Sequence, residues 1–239
     1  MRRIVALAAC AALMATTGCN VQLDAEEVNS AQSFPFTGNT LQIRSSLGGV
    51  RVLPGVGGKV EVERWVRGKA ADNPTWSLRD GTLRLGSDCS MVFGDCGARY
   101  HIKVPPGVRL SIDASDGVIL KDLTQDVDVS SRDRIQVSGT TGRLRLRSEG
   151  SITGDGLKSS RVRCRTVDGA IDLTFTSPPT DLDAQSQDGR VTATVPQGSY
   201  AVTVKSKDGS ERSEVKNDAK SPNTIVARSG TGNVRILKR

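Results

Sequence analysis

One short phrase, returning along most of the chain, constrains what these 239 residues can fold into more than any other feature. Alternating apolar residues lead to a Ser or Thr, then to a turn rich in Asp and Gly, then to more alternation. It appears first as Leu41-Gln-Ile-Arg-Ser-Ser-Leu-Gly-Gly-Val-Arg-Val52 and returns from Leu110, Val127, Leu144, Val162, Leu182, Val202 and Ile225. The turn positions Gly117, Arg134, Gly150, Gly169, Gly189, Gly209 and Gly232 fall 16 to 23 residues apart. Each unit reads as two short strands of period-2 pattern, joined where an Asp-Gly type turn lets the chain take positive φ. Neither strand buries its apolar side alone, and stacking successive units buries a continuous strip.

The expected fold is therefore all-β: a parallel β-solenoid, β-helix-like, built from two-strand repeats. A β-sandwich or hairpin array is the alternative, because Asp-Gly between alternating strands is also a hairpin signal. The solenoid is favoured because the same residue types recur at the same place in each unit and no long helix is available for crossovers. Arg44, Arg147, Arg165, Lys205 and Arg228 occupy the slot after the inner apolar residue. Ser45, Ser131, Ser148, Thr166, Ser186, Ser206 and Ser229 occupy the next slot, and in a stack both sets are expected as outward rows.

Residues 59–106 break the phrase. Lys59 to Val66, Trp76 to Leu85 and Tyr100 to Val104 look like longer antiparallel strands, with a hairpin at Asp80-Gly81. Six of the eight aromatics lie before residue 101. This region reads as an N-terminal cap or elaborated first layer, since solenoid ends must be covered.

The start of the chain addresses location. Arg2 and Arg3 precede an apolar stretch from Ile4 to Ala15 and then Thr16-Thr17-Gly18-Cys19. That is a secretory signal, too short to cross a hydrocarbon core of about 30 Å. Gly18-Cys19 also fits the lipobox of bacterial lipoproteins, although Thr16 stands where an aliphatic residue is usual. Cys19 is the expected lipidation site, and two acyl chains give stable attachment. The expected layout is a signal peptide over 1–18, a polar tether over 19–32, a first repeat with cap strands over 33–106, and a β-repeat solenoid over 107–239. The protein would be exported and lipid-anchored, facing the extracytoplasmic side of the cell membrane.

Cysteine use agrees with that compartment. Cys89 and Cys96 flank a six-residue segment, and a disulfide there would stabilise by about 2–3 kcal/mol in the chain-entropy model. A metal site is the rival, without nearby His or a second Cys pair. Cys164, in Val162-Arg163-Cys164-Arg165, sits at an inward position and reads as a small buried hydrophobe. Loss of Arg2 and Arg3 leaves 31 Lys and Arg against 26 Asp and Glu, a mild excess of +5. This does not indicate nucleic acid; a well-solvated surface is the plainer explanation.

The lipobox, the polar tether, the cap with paired strands and the repeated Ser-x-Asp-Gly turns together resemble the bacterial "putative adhesin" family of β-strand-repeat surface lipoproteins. The resemblance runs from about residue 33 to the end. It implies a parallel β-helix-like domain exposed on the cell surface, and it carries over no functional residues.

Chemistry-bearing residues are sparse. Asp116, Asp133, Glu149, Asp168, Asp188 and Asp208 stand one per unit at the turn and could line up as a carboxylate row for Ca²⁺ or acid/base work. Asp before Gly is also what the turn itself demands. His101 is the one histidine and alternates outward, which argues against a catalytic triad or multi-His metal site. Trp65, Trp76, Phe93 and Tyr100 form the concentrated aromatic set, read first as cap core. The row Arg44, Arg147, Arg165, Lys205 and Arg228 suits a linear polyanion, though Gln185, Ser130 and Asp113 interrupt it. No catalytic residue, metal or cofactor is expected. The expected function is a non-enzymatic envelope lipoprotein presenting a repetitive scaffold to a protein or an anionic envelope polymer. An accessory or sensory lipoprotein docking on a membrane complex is the second reading, and a polysaccharide-active β-helix enzyme the third.

Overall fold

The structure, a computed structural model, describes residues 26–72, 74–87, 89 and 96–239. Cys19 and the signal segment lie outside the described residues. The cap region holds β1 (Glu27–Pro35), β2 (Thr40–Ser45), β3 (Gly49–Pro54), β4 (Lys59–Gly68), β5 (Pro74–Arg79), β6 (Thr82–Ser87) and β7 (Cys96–Val104). The repeats follow in pairs: β8 (Arg109–Ala114) with β9 (Val118–Lys121), β10 (Val127–Ser131) with β11 (Ile135–Ser138), and β12 (Leu144–Ser148) with β13 (Ile152–Leu157). Next come β14 (Arg161–Thr166) with β15 (Ile171–Phe175) and β16 (Asp181–Ser186) with β17 (Val191–Val195). The last pairs are β18 (Ala201–Ser206) with β19 (Glu211–Ser213), and β20 (Thr224–Ser229) with β21 (Val234–Lys238).

The first strand of each repeat joins one sheet and the second joins the other, so the repeats form coils of a parallel solenoid. One sheet runs β1-β4-β7-β3-β9-β11-β13-β15-β17-β21-β19, the other β18-β20-β16-β14-β12-β10-β8-β2-β6-β5. Antiparallel pairing is confined to β1–β4, β4–β7 and β5–β6, which form the N-terminal cap. The cap hairpin turns at Asp80 and Gly81, both at positive φ. Strand β1 runs across residue 33, the expected end of the tether. Glu27 pairs with Arg67 and the strand continues in register to Pro35 opposite Lys59.

Both ends depart from simple chain order. At the N-terminal end β2 and β3 lie directly against β8 and β9, and the intervening strands fold outward as the cap. At the other end the last pair, β20–β21, lies between β16–β17 and β18–β19. The chain thus completes an outer coil and then returns to fill the slot inside it.

Alternation builds the core. Leu110, Val127, Leu144, Val162, Leu182 and Ile225 are successive register partners in one sheet, all buried. Val118, Ile135, Ile152, Ile171, Val191 and Val234 do the same in the other. Each such side chain contributes roughly 1.5–3 kcal/mol on burial. The outermost coil changes character: Glu211 and Ser213 stand opposite Val234 and Ile236 and are exposed, so a polar turn ends the stack.

Two expectations about the turns are corrected. The Ser/Thr slot does not face outward. A period of two sends neighbouring residues to opposite faces, so with the Arg slot outside, Ser45, Ser131, Ser148, Thr166, Ser186 and Ser229 are buried. Their hydroxyls donate to turn carbonyls: Ser131 to Asp116, Ser186 to Gly169 and Ser229 to Gly189, at 2.8 to 2.9 Å. The second correction concerns φ. None of Gly117, Gly150, Gly169, Gly189, Gly209 and Gly232 adopts positive φ. At Gly169, Gly189, Gly209 and Gly232 the glycine is instead required by close stacking: a Cβ on Gly189 would lie 2.0 Å from the Gly169 carbonyl oxygen.

Candidate functional site

With apolar and hydroxyl side chains turned inward, the charged side chains are left to the outer sheet faces and the turns. On the face formed by β12 and β14, alternation places Arg143, Arg145 and Arg147 beside Arg161, Arg163 and Arg165, all exposed. Arg145 is the register partner of Arg163, and Arg147 of Arg165. Adjacent strands lie about 4.8 Å apart, so like charges stand side by side, an arrangement that is destabilising unless compensated.

Compensation comes from the flanks and is incomplete. On the β10 side, Asp126 pairs with Arg143 at 3.1 Å, and Asp128 takes Arg145 at 3.6 Å and Arg147 at 3.4 Å. On the β16 side, Asp183 takes Arg163 at 3.3 Å and reaches Arg228 at 4.0 Å. Among the described residues, neither Arg161 nor Arg165 has an acidic partner. A shallow cleft of about 210 Å³ lies between Arg145, Arg147, Arg163 and Arg165. These pairs, exposed on the arginine side, each contribute about 0–1 kcal/mol.

The basic row inferred from the slot pattern is real as a register but divided in space. Arg44 lies between Arg84 and Asp113. Asp113 and Ser130 then separate it from Arg147 and Arg165. Gln185 separates those two from Arg228, with Lys205 beyond it on the outermost coil. The slot pattern missed Arg143, Arg145, Arg161 and Arg163. They were legible as the local runs Arg-Leu-Arg-Leu-Arg and Arg-Val-Arg-Cys-Arg, but only in-register pairing makes them one block.

The remaining candidates resolve separately. Cys89 and Cys96 form a disulfide with a Cα–Cα distance of 6.3 Å, within the usual range. Cys164 is fully buried, and burial, reinforced by Asp183, pushes its thiol pKa well up. Asp133, Asp168, Asp188 and Asp208 are exposed at the turns, while Asp116 accepts a hydrogen bond from the Gly48 amide. Among the described residues no group of His, Cys, Asp and Glu is arranged to hold a metal ion. The aromatic set divides too. Tyr100 is buried, and Trp76 packs edge-on to Phe34 with Arg64 3.7 Å above its ring. Phe93 lies outside the described residues. Trp65 stands on the outer face, with its ring centroid 4.5 Å from that of His101.

Residues 106–237 match the family model described as Toastrack DUF4097. The fold is similar to that of a crystal structure described as a "putative adhesin" from Parabacteroides distasonis, at 12% identity and a TM-score of 0.55, covering 90% of this chain and 98% of that one. A second crystal structure so described, from Parabacteroides merdae, aligns at 11% identity and a TM-score of 0.46, over 87% of this chain and 96% of that one. No curated protein matches the sequence.

Proposed function

Since the chain belongs to the Toastrack DUF4097 family, we propose that it is a non-enzymatic, adhesion-type scaffold, held at the extracytoplasmic side of the cell membrane by lipid on Cys19. Its contact surface is the arginine block on β12 and β14, and its partner is an anionic envelope polymer. The observation that carries this is the in-register pairing of Arg145 with Arg163 and Arg147 with Arg165, with Arg161 and Arg165 left without carboxylates among the described residues. A face that tolerates this repulsion is matched to a partner that relieves it. The adhesion element draws on the description of the Parabacteroides distasonis structure. The signal and lipobox residues Arg2 to Cys19 support the location.

Guanidinium groups suit this role because each presents a planar fork of donors to phosphate or carboxylate. Repetition along a rigid face adds avidity, since a polymer held at one position meets the next at high effective concentration. The test is retention of the mature protein on immobilised polyanion across a salt series, beside the double variant Arg147→Glu, Arg165→Glu. Salt-sensitive retention, weakened at least tenfold in the variant, supports the reading. Salt-independent retention, or an unchanged variant, overturns it.

A further inference from the structure

A second cleft, of about 440 Å³, lies on the other sheet where the cap meets the first coils. Its residues come from two outward rows. One row, at the strand entrances, runs Arg99, Gly49, Gly117, Arg134; the other runs His101, Arg51, Ile119, Gln136. In the first row the two glycines open a gap between Arg99 and Arg134, three strand spacings wide, or about 14 Å. Gly49 and Gly117 both lack positive φ, and a Cβ there would sit at ordinary contact distance, 3.5 and 3.4 Å from the nearest atoms. That contrasts with Gly169, Gly189 and Gly232, where a Cβ would strike the backbone of a neighbouring coil at 2.0 to 2.4 Å. The stack therefore needs glycine at the later turns; at Gly49 and Gly117 its effect is to keep the cleft open.

The walls are braced. Arg99 is paired with Glu27 at 2.8 Å and lies over the Trp65 ring at 4.8 Å, and His101 leans on the same ring. Three arginines and two aspartates line the cleft, and charge balances once Glu27, the partner of Arg99 outside it, is counted. Arg51 and Arg134 have no ion-pair partner among the described residues, and the carboxylates of Asp116 and Asp133 face the same space. Burial, with the guanidiniums of Arg51 and Arg99, holds the His101 imidazole below its ordinary pKa despite Glu63. A neutral imidazole offers one donor and one acceptor. Donors and acceptors thus surround a floor of glycine backbone and Ile119, with no net charge to select an anion. A dianion would meet two carboxylates; a hydroxylated neutral ring can donate to Asp133 and accept from Arg51 or Arg134 at once.

From this geometry we infer that the cleft between Arg99 and Arg134 is a binding site for an uncharged hexose unit of a polysaccharide. It is separate from the arginine block and stands or falls independently of it. The test is calorimetric titration of the mature protein with neutral gluco-, galacto- and mannopentasaccharides, and with a uronic-acid pentasaccharide as the charged control. Gly117→Leu, which fills the gap, and Arg51→Ala, which removes a donor, are run beside it, with thermal midpoints recorded. The expected result is binding of at least one neutral oligomer, insensitive to salt and weakened at least tenfold by either substitution with the midpoint unchanged. Absence of binding by all three neutral oligomers, undiminished binding by Gly117→Leu, or tighter binding of the uronic-acid oligomer overturns the assignment. Arg147→Glu, Arg165→Glu should leave this titration unchanged, which separates it from failure of the polyanion reading.

Discussion

The hydroxyl of Ser186 donates to the carbonyl oxygen of Gly169, one coil away, at 2.9 Å. The same hydroxyl accepts from the amide of Gly189, three residues ahead, at 2.8 Å. One side chain thus closes its own turn and fastens it to its neighbour, and Ser229 repeats the arrangement with Gly189 and Gly232. This is the physical content of the Ser-x-Asp-Gly phrase. Ser186→Ala should lower unfolding free energy by about 1–3 kcal/mol, since a buried carbonyl loses its donor and an amide its acceptor. Ser186→Thr should cost less, because Thr166 holds the equivalent slot. Urea denaturation of the three proteins measures both.

Glycine substitutions should divide by stacking. Gly189→Ala forces a Cβ against the Gly169 carbonyl and should lower the thermal midpoint by several degrees, through strain of about 1–3 kcal/mol. Gly57 has nothing within 4 Å of a Cβ and no positive φ. Gly57→Ala should leave the midpoint unchanged or raise it slightly.

Tyr100 supplies a pH dependence. Burial pushes its phenol up to about 12, partly offset by Arg64, and its hydroxyl is buried without a hydrogen-bond partner among the described residues. In the unfolded chain the phenol titrates near its ordinary 10. The folded state therefore holds the proton longer, and its contribution is complete below pH 10 and lost as pH rises toward 12. Tyr100→Phe should flatten that part of the stability profile and be at least as stable at pH 7. A wild-type slope retained in the variant would remove Tyr100 from the account.

Cys164 should be silent to thiol reagents in the native protein and react promptly in denaturant. Its thiol is fully buried, and burial disfavours the thiolate. Measurable native-state modification at neutral pH, faster than unfolding allows, would contradict the packing described for β14.

The return of β20–β21 into the slot between β16–β17 and β18–β19 has a consequence for truncation. Deleting residues 220–239 removes the only sheet partners of β18 and β19 among the described strands. Limited proteolysis of that variant should cut back to about Pro196, not merely trim the end. An intact β18–β19 in the truncated protein would mean that the coil holds itself.

Much was legible in the sequence because a period of two decides which face each side chain takes, wherever the strand goes. That rule alone puts Leu110, Leu144 and Ile171 inside and Arg145, Arg147 and Arg165 outside. It also puts Cys164 inward, and spacing with compartment favoured Cys89 with Cys96. Applied strictly, it would have placed Ser186 inside as well, since Gln185 faces out. What only the tertiary structure decided is adjacency. Every coil offers nearly the same apolar edge to the next, so local sequence leaves open that β2 lies against β8 across 63 intervening residues, or that the last coil enters the stack before the one preceding it. Hydrogen bonding between distant strands sets that order. It alone brings Arg147 beside Arg165, parts Arg44 from both, and leaves Gly49 and Gly117 side by side between two arginines.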